Sequence, residues 1–272
     1  MKKSTYLLAM LATAASLFLT NFPLFASETD DRIESSAKDS YVFMTYLKDD
    51  NITINSQDGV ATLTGTVSDA SHKALAQETV ANLPGVTGVN NKLEEKSEGP
   101  APYTDAWLVS KVQATLLFHR TLHATQTEVS AKDGIVTLRG EATNTAEKDL
   151  ATEYAKDVDG VKDVENEMTV STVESKSGGK TMGQTMNTMG QKMGLKVDVM
   201  TEAIDDASIT ALVKMTLLYH RSTSAINTTV KTNDGVVTLG GKATNTAEKE
   251  LATKFVSDIY GVKSVVNNMT VE

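Results

Sequence analysis

The chain reads as an α+β protein of three tandem αββαβ modules, each with two helices packed on a three-stranded mixed sheet. Three observations predict this. One stretch, Asp133-Gly134-Ile135-Val136-Thr137-Leu138-Arg139-Gly140, is followed by Asn144-Thr145-Ala146-Glu147-Lys148, Gly160-Val161 and Asn166-Glu167-Met168-Thr169-Val170. Moving back 75 residues lands on Asp58-Gly59, Gly65, Asp69, Gly85-Val86 and Asn91; moving forward 101 lands on Asp234-Gly235, Gly241, Asn245, Gly261-Val262 and Asn267. Within each copy the apolar spacing switches from steps of three and four to alternation and back, the signature of helix, strands, helix and strand.

The units run over 29–96, 104–172 and 204–272, joined by a short linker over 97–103 and a longer one over 173–203. A unit of about 65 to 70 residues buries a small core of its own. A period longer than that of solenoid repeats predicts independent beads on a string.

Ahead of them, Met1-Lys2-Lys3, an apolar run from Tyr6 to Leu19 and Leu24-Phe25-Ala26 read as a cleavable secretory signal over 1–26. The expected location is therefore the periplasm. Cysteine is absent, which excludes disulfides, thiol nucleophiles, cysteine zinc sites and a lipoprotein anchor. The net charge of −9 becomes −11 once Lys2 and Lys3 are removed. Such a chain repels nucleic acid phosphates, and no nucleic-acid partner is expected.

In the second unit, Asp105 is read as the cap of a helix whose core stripe is Leu108, Val112, Thr115 and Leu116. The stripe corresponds to Ile33, Ala37 and Tyr41 in the first unit and to Ile209, Val213 and Leu217 in the third. The helix fades near His119-Arg120. Strands follow over 127–131 and 135–142, joined at Asp133-Gly134, and Asp-Gly supplies the positive backbone angles of a tight hairpin. Gly59, Gly134 and Gly235 are thus structural turn residues. Asn144 with Glu147, and Asn245 with Glu248, have capping-box spacing, and Asp69 takes the same place in the first unit. Those helices present Leu75, Thr79 and Leu83; Leu150, Tyr154 and Val158; and Leu251, Phe255 and Ile259. Gly85, Gly160 and Gly261 stop them, and a last strand follows.

The Asp-Gly-Val-x-Thr-Leu-x-Gly run, the Glu-Lys pair opening the second helix and the Gly-Val-x-x-Val-x-Asn segment resemble the BON domain family. The first unit is looser, with His72-Lys73 for Glu-Lys and Gly88 inside the last segment. The resemblance implies a periplasmic, non-catalytic protein of the cell envelope, in a family that includes osmotically inducible members and a lipoprotein that binds anionic phospholipid.

Residues suited to catalysis are few. Of four histidines, His119 and His123 are four apart, but only His119 has a counterpart, His220, and these are read as exposed structural side chains, not metal ligands. The Asp-Gly pairs are explained by turns and Glu147 and Glu248 by capping. No elbow nucleophile or phosphate-binding glycine loop stands out. No enzyme activity, metal or cofactor is expected.

Surfaces differ more between the units. Beside the core stripe the first helix reads Arg32, Ser36, Asp39, Phe43 in unit one, Trp107, Lys111, Ala114, Phe118 in unit two and Ser208, Leu212, Met215, Tyr219 in unit three. Apolar surface beyond the core stripe is either packing between units or a face for a membrane or partner. On the second reading Trp107, Lys111, Phe118, Leu212, Met215 and Tyr219 are candidate lipid-binding residues. Trp107 suits a headgroup boundary, and the resemblance adds that the lipid-binding family member carries a tryptophan in a setting like Asp105-Ala106-Trp107-Leu108.

In the longer linker Met182, Met186, Met189 and Met193 trace one helical stripe, a candidate membrane or partner surface. Gly183, Gly190 and Gly194 oppose a helix there. The expected function is non-enzymatic envelope support under stress, by binding anionic phospholipid membranes or envelope proteins. The alternative is a chaperone-like binder of exported or unfolded polypeptides.

Overall fold

A computed structural model describes residues 24–96, 101–122, 127–170, 204–223 and 228–271. The signal reading falls outside these residues except at Leu24–Ala26, as do His123 and the methionine stripe at Met182, Met186, Met189 and Met193.

Unit one comprises α1 (Leu24–Lys38), α2 (Tyr41–Thr45), β1 (Asn51–Gln57), β2 (Val60–Val67), α3 (Ala70–Ala81) and β3 (Gly88–Glu95). Unit two comprises α4 (Asp105–Phe118), β4 (Glu128–Lys132), β5 (Ile135–Arg139), β6 (Glu141–Ala142), α5 (Thr145–Lys156), β7 (Asp163–Asn166) and β8 (Thr169–Val170). Unit three comprises α6 (Asp206–Tyr219), β9 (Thr228–Asn233), β10 (Val236–Ala243), α7 (Thr246–Ser257), β11 (Ser264–Asn267) and β12 (Thr270–Val271).

The main sheet of each unit is mixed, as the pattern predicts, while β12 adds a fourth strand along β10 in unit three and β6 and β8 form a separate parallel pair in unit two. The hairpin strands pair antiparallel, with Gln57 opposite Val60, Lys132 opposite Ile135 and Asn233 opposite Val236. The last strand returns parallel to the central one, so that β3 pairs with β2, β7 with β5 and β11 with β10. Two-residue turns join the hairpins. Their Asp-Gly pairs have φ of 53° and 78° at Asp58-Gly59, 54° and 85° at Asp133-Gly134, and 50° and 77° at Asp234-Gly235, the left-handed backbone that the hairpin twist requires.

Equivalent positions fill equivalent cores. Ile33, Leu108 and Ile209 are buried, as are Leu63, Leu138 and Leu239 on the central strands. In the second helices the buried face of α5 is Ala151, Tyr154 and Ala155, while Leu150 of α5 and its counterpart Leu251 of α7 are half-buried.

Three details differ from the expectations. In unit one the helix breaks after Lys38 and restarts from the Ser40 cap, which shifts the phase so that Val42 is buried and Tyr41 only partly so. The caps of α4 and α6 are Thr104 and Asp205, with Asp105 and Asp206 the first helical residues. The Asp105 carboxylate instead accepts from the amides of Asp133 (2.9 Å) and Gly134 (3.0 Å), the Asp206 carboxylate from Asp234 (2.7 Å) and Gly235 (2.8 Å), and the Asp30 carboxylate from Asp58 (2.9 Å) and Gly59 (3.0 Å). The third difference is the largest. The units are packed together, and the core of unit three is continuous with that of unit one. Phe255 of unit three joins the core of unit two. Apolar stripes left over after each module closes are buried most readily against one another.

Candidate functional site

The candidate lipid face lies where the three units converge. Phe118, Leu212, Met215 and Tyr219 are buried, at 5% exposure or less, so packing between modules takes the four residues read as a possible membrane face. Phe118 stacks on Tyr219 with ring centres 6.4 Å apart, and Tyr46 of unit one meets Phe118 edge-on at 5.5 Å. Ser208, on the same stripe, is fully buried, and its hydroxyl accepts from the Val42 amide at 3.1 Å. The Asp205 carboxylate accepts from the Tyr41 amide at 2.9 Å. Unpaired amides at the start of α2 are thereby satisfied by side chains at the start of α6.

Lys111 sits among all three units. Its ammonium lies 4.1 Å from the Tyr219 ring centre, 5.7 Å from that of Trp107, and donates to Ser71 Oγ at 3.4 Å. Burial draws this ammonium below the usual lysine range, with the nearby Asp69 carboxylate opposing. Trp107 remains half-buried at the edge of the unit-two core. Beside it, 5.1 Å between ring centres, stands Tyr103. Tyr103 has a left-handed φ of 64°, is 64% exposed, and donates its hydroxyl to Asp159 Oδ2 at 3.0 Å. Tyr103 carried no periodic signal, because it lies in the linker ahead of the helix.

A second cluster joins units two and three through reciprocal contacts. His119 and His220 are both fully buried, which corrects their reading as exposed side chains. Their Nε2 atoms are 3.2 Å apart. The His119 ring stacks on Tyr154 at 3.9 Å and the His220 ring on Phe255 at 4.0 Å. Each Nδ1 faces an aspartate: His220 lies 3.0 Å from Asp157 Oδ2 and His119 lies 3.3 Å from Asp258 Oδ2. The backbone repeats the exchange, with the Arg120 amide donating to Asp258 O and the Arg221 amide to Asp157 O, both at 2.8 Å. A signal for this seam was present in the sequence: the 101-residue offset maps His119-Arg120 onto His220-Arg221 and Asp157 onto Asp258, whereas unit one has Met44-Thr45 and Asn82.

Burial raises the Asp258 carboxyl, but the His119 ring and the Thr121 and Tyr154 hydroxyls outweigh it and hold the group below the ordinary carboxylate value. Among the described residues no group of three or more His, Cys, Asp or Glu side chains gathers as a metal site, and no helix is long and apolar enough to cross a membrane.

This architecture defines a tandem-module α+β protein whose repeats close on one another through their first-helix stripes. All three units match the BON domain model, over residues 29–97, 104–172 and 205–272, and the chain belongs to the BON domain family. It is similar to Osmotically-inducible protein Y of Escherichia coli (strain K12), 31% identical over 143 residues that span 51% of this chain and 71% of that protein. Among solved structures, the C-terminal domain of CdsD, a structural protein of the type III secretion system of Chlamydia trachomatis, aligns over 88% of this chain and 95% of its own at 13% identity and a TM-score of 0.21. The PrgH periplasmic domain aligns over 84% and 99% at 6% identity and a TM-score of 0.20.

Proposed function

We propose that the chain is a non-catalytic protein of the cell envelope, serving the response to osmotic stress by binding anionic phospholipid surfaces. Its BON modules and its likeness to an osmotically inducible protein support the cellular role. The observation that carries the binding role is the exposed Tyr103 ring beside the half-buried Trp107, with the Lys111 ammonium on the same helix. Aromatic rings with one apolar and one polar end partition to the headgroup boundary. A nearby cation attracts anionic lipid although the chain as a whole is acidic.

Sedimentation with phosphatidylglycerol vesicles tests this reading. Binding should require the anionic lipid, fall with salt and decrease in Tyr103→Ser and Trp107→Ala. Equal binding to neutral phosphatidylcholine vesicles, or none to either, refutes it.

One observation favours a second reading, a chaperone-like binder of polypeptides. A groove of about 330 Å³ between α3 on one side and α6 and β9 on the other is lined by Ala74, Met215, Leu217, Leu218, Thr228 and Val230 with the Glu78–Lys214 ion pair, and Leu218 is 56% exposed there. On that reading the protein suppresses aggregation of an unfolded client without lipid, and Leu218→Ser weakens the effect.

A further inference from the structure

We infer that His119 and His220 hold a single proton between their Nε2 atoms, forming a buried proton-binding site that tunes the docking of units two and three to pH. The ring centres are 5.5 Å apart while the Nε2 atoms are 3.2 Å apart. A difference of about two ring radii, each just over an ångström by covalent geometry, means that the two nitrogens point almost directly at each other. In that alignment two bare lone pairs repel, and two N–H groups collide. One proton alone makes a hydrogen bond.

The other ring nitrogens are assigned by their partners. His220 Nδ1 donates to Asp157 Oδ2 at 3.0 Å. His119 Nδ1, 3.3 Å from Asp258 Oδ2 and without a well-aligned hydrogen bond, would turn a lone pair toward a carboxylate if it were bare, so it too carries hydrogen. With hydrogen on both Nδ1 atoms, the shared proton makes the pair singly charged. Neither ring is accessible to water that could substitute for it.

Charged groups from four helix ends face the pair. From the end of α4 comes Arg120, from the end of α5 Asp157 and the Tyr154 hydroxyl, from the end of α6 Arg221, and from the end of α7 Asp258. Arg120 Nε is 3.8 Å from Asp258 Oδ1 and Arg221 Nε is 3.7 Å from Asp157 Oδ1, while Tyr154 donates to Asp258 at 3.0 Å. Two guanidinium groups thus face two carboxylates, and the shared proton adds one positive charge to an otherwise neutral cage. A second proton is disfavoured: burial draws His119 below the ordinary histidine range, and the charge of His220 works the same way against the opposing pull of Asp258.

The undocked rings titrate independently near about pH 6.5 and carry on average two protons in acid, one at that midpoint and none in alkali. The docked pair carries one. Docking therefore releases a proton in acid and takes one up in alkali, and the docking constant falls by up to about tenfold per pH unit on either flank of a maximum near pH 6.5. Outside that window the seam loosens and uncovers Tyr154 and Phe255.

The test uses the full chain labelled with 15N-histidine, which has only four such residues. Nuclear magnetic resonance at about pH 6.5, the ordinary histidine midpoint, should show scalar coupling between the Nε2 atoms of His119 and His220 through one shared proton, and the coupling should persist on either flank for as long as the units stay docked. The melting temperature should be highest in the same region, and His220→Asn should flatten that dependence. Two neutral rings without mutual coupling across the range overturn the inference. So does a coupling that appears only after a chelator removes a metal ion. Because the magnetic resonance is read on the unmodified chain, a variant that fails to fold does not shield the inference.

Discussion

The ammonium of Lys111 in the second unit lies 4.1 Å from the centre of the Tyr219 ring in the third. A cation over a partly desolvated aromatic face contributes about 0.5 to 2 kcal/mol. Lys111→Met, which keeps most of the apolar stem, should therefore lower full-chain stability by that amount in denaturant titration. An unchanged midpoint would remove Lys111 from the account of how the modules are held.

Leu212 stands on the same seam and is fully buried. Leu212→Ala should cost about 2 to 5 kcal/mol, as truncation of a buried leucine does, with vesicle binding per folded molecule unchanged. A stable variant with reduced vesicle binding would restore the membrane reading of that residue.

The hairpin turns allow a graded comparison. A Cβ on Gly235 would stand 2.9 Å from the Gly261 carbonyl oxygen, which is backbone, whereas one on Gly134 would meet the flexible Lys162 side chain at 3.0 Å. Both have positive φ. Gly134→Ala should cost about 1 to 2 kcal/mol for the left-handed conformation, and Gly235→Ala more. Gly88, with nothing nearer than 4.0 Å to such an atom, should tolerate alanine within about 0.5 kcal/mol. Equal melting temperatures for all three variants would contradict the turn geometry.

Acid sensitivity follows from the carboxylates that hold those turns. The amides of Gly134 and then Asp133 hold the Asp105 carboxyl below its ordinary value of 3.8, and the Ser56 hydroxyl and then the Gly59 amide do the same for Asp30. A depressed folded value contributes stability above pH 3.8 that is lost as the pH falls through the folded pKa. Asp105→Asn should be less stable than the parent at neutral pH and show a shallower decline below about pH 4. Thermal melts of both proteins at stepped pH check this, and parallel acid limbs would disprove it.

What the sequence made legible was local. Asp133-Gly134, the Asn144 and Asn245 caps and the alternation of β5 each rest on interactions within a few residues, so turn chemistry and periodicity sufficed. Asp105 was misassigned because its partners, Asp133 and Gly134, lie 28 and 29 residues away, although Asp30, Asp105 and Asp206 share the repeat offsets. The packing of units was not legible, because Leu212 and Met215 on a helix surface look the same whether they face lipid, a partner or another module. His119 and His220 were misread for a related reason. A lone histidine is costly to bury, and only the aspartate brought by the opposite unit makes burial affordable.

Trp107 therefore carries the sharpest remaining test of the membrane proposal. It is the chain's single tryptophan, so its fluorescence reports on one place. Half-buried and 5.1 Å from the Tyr103 ring, it should emit at an intermediate wavelength in lipid-free protein. Anionic vesicles should shift that emission to the blue and protect it from aqueous quenchers, since transferring the rest of such a ring from water is worth up to about 1.5 to 3 kcal/mol. Tyr103→Ser removes an exposed neighbour together with its surface hydrogen bond to Asp159 and should weaken the shift with a loss of stability of no more than about 1 kcal/mol. Lys111→Met removes the cation and should reduce the dependence on salt, though it also loosens the seam. An emission that anionic vesicles leave unchanged, in a protein whose Leu212→Ala variant is destabilised as expected, would mean that the whole stripe serves packing between modules.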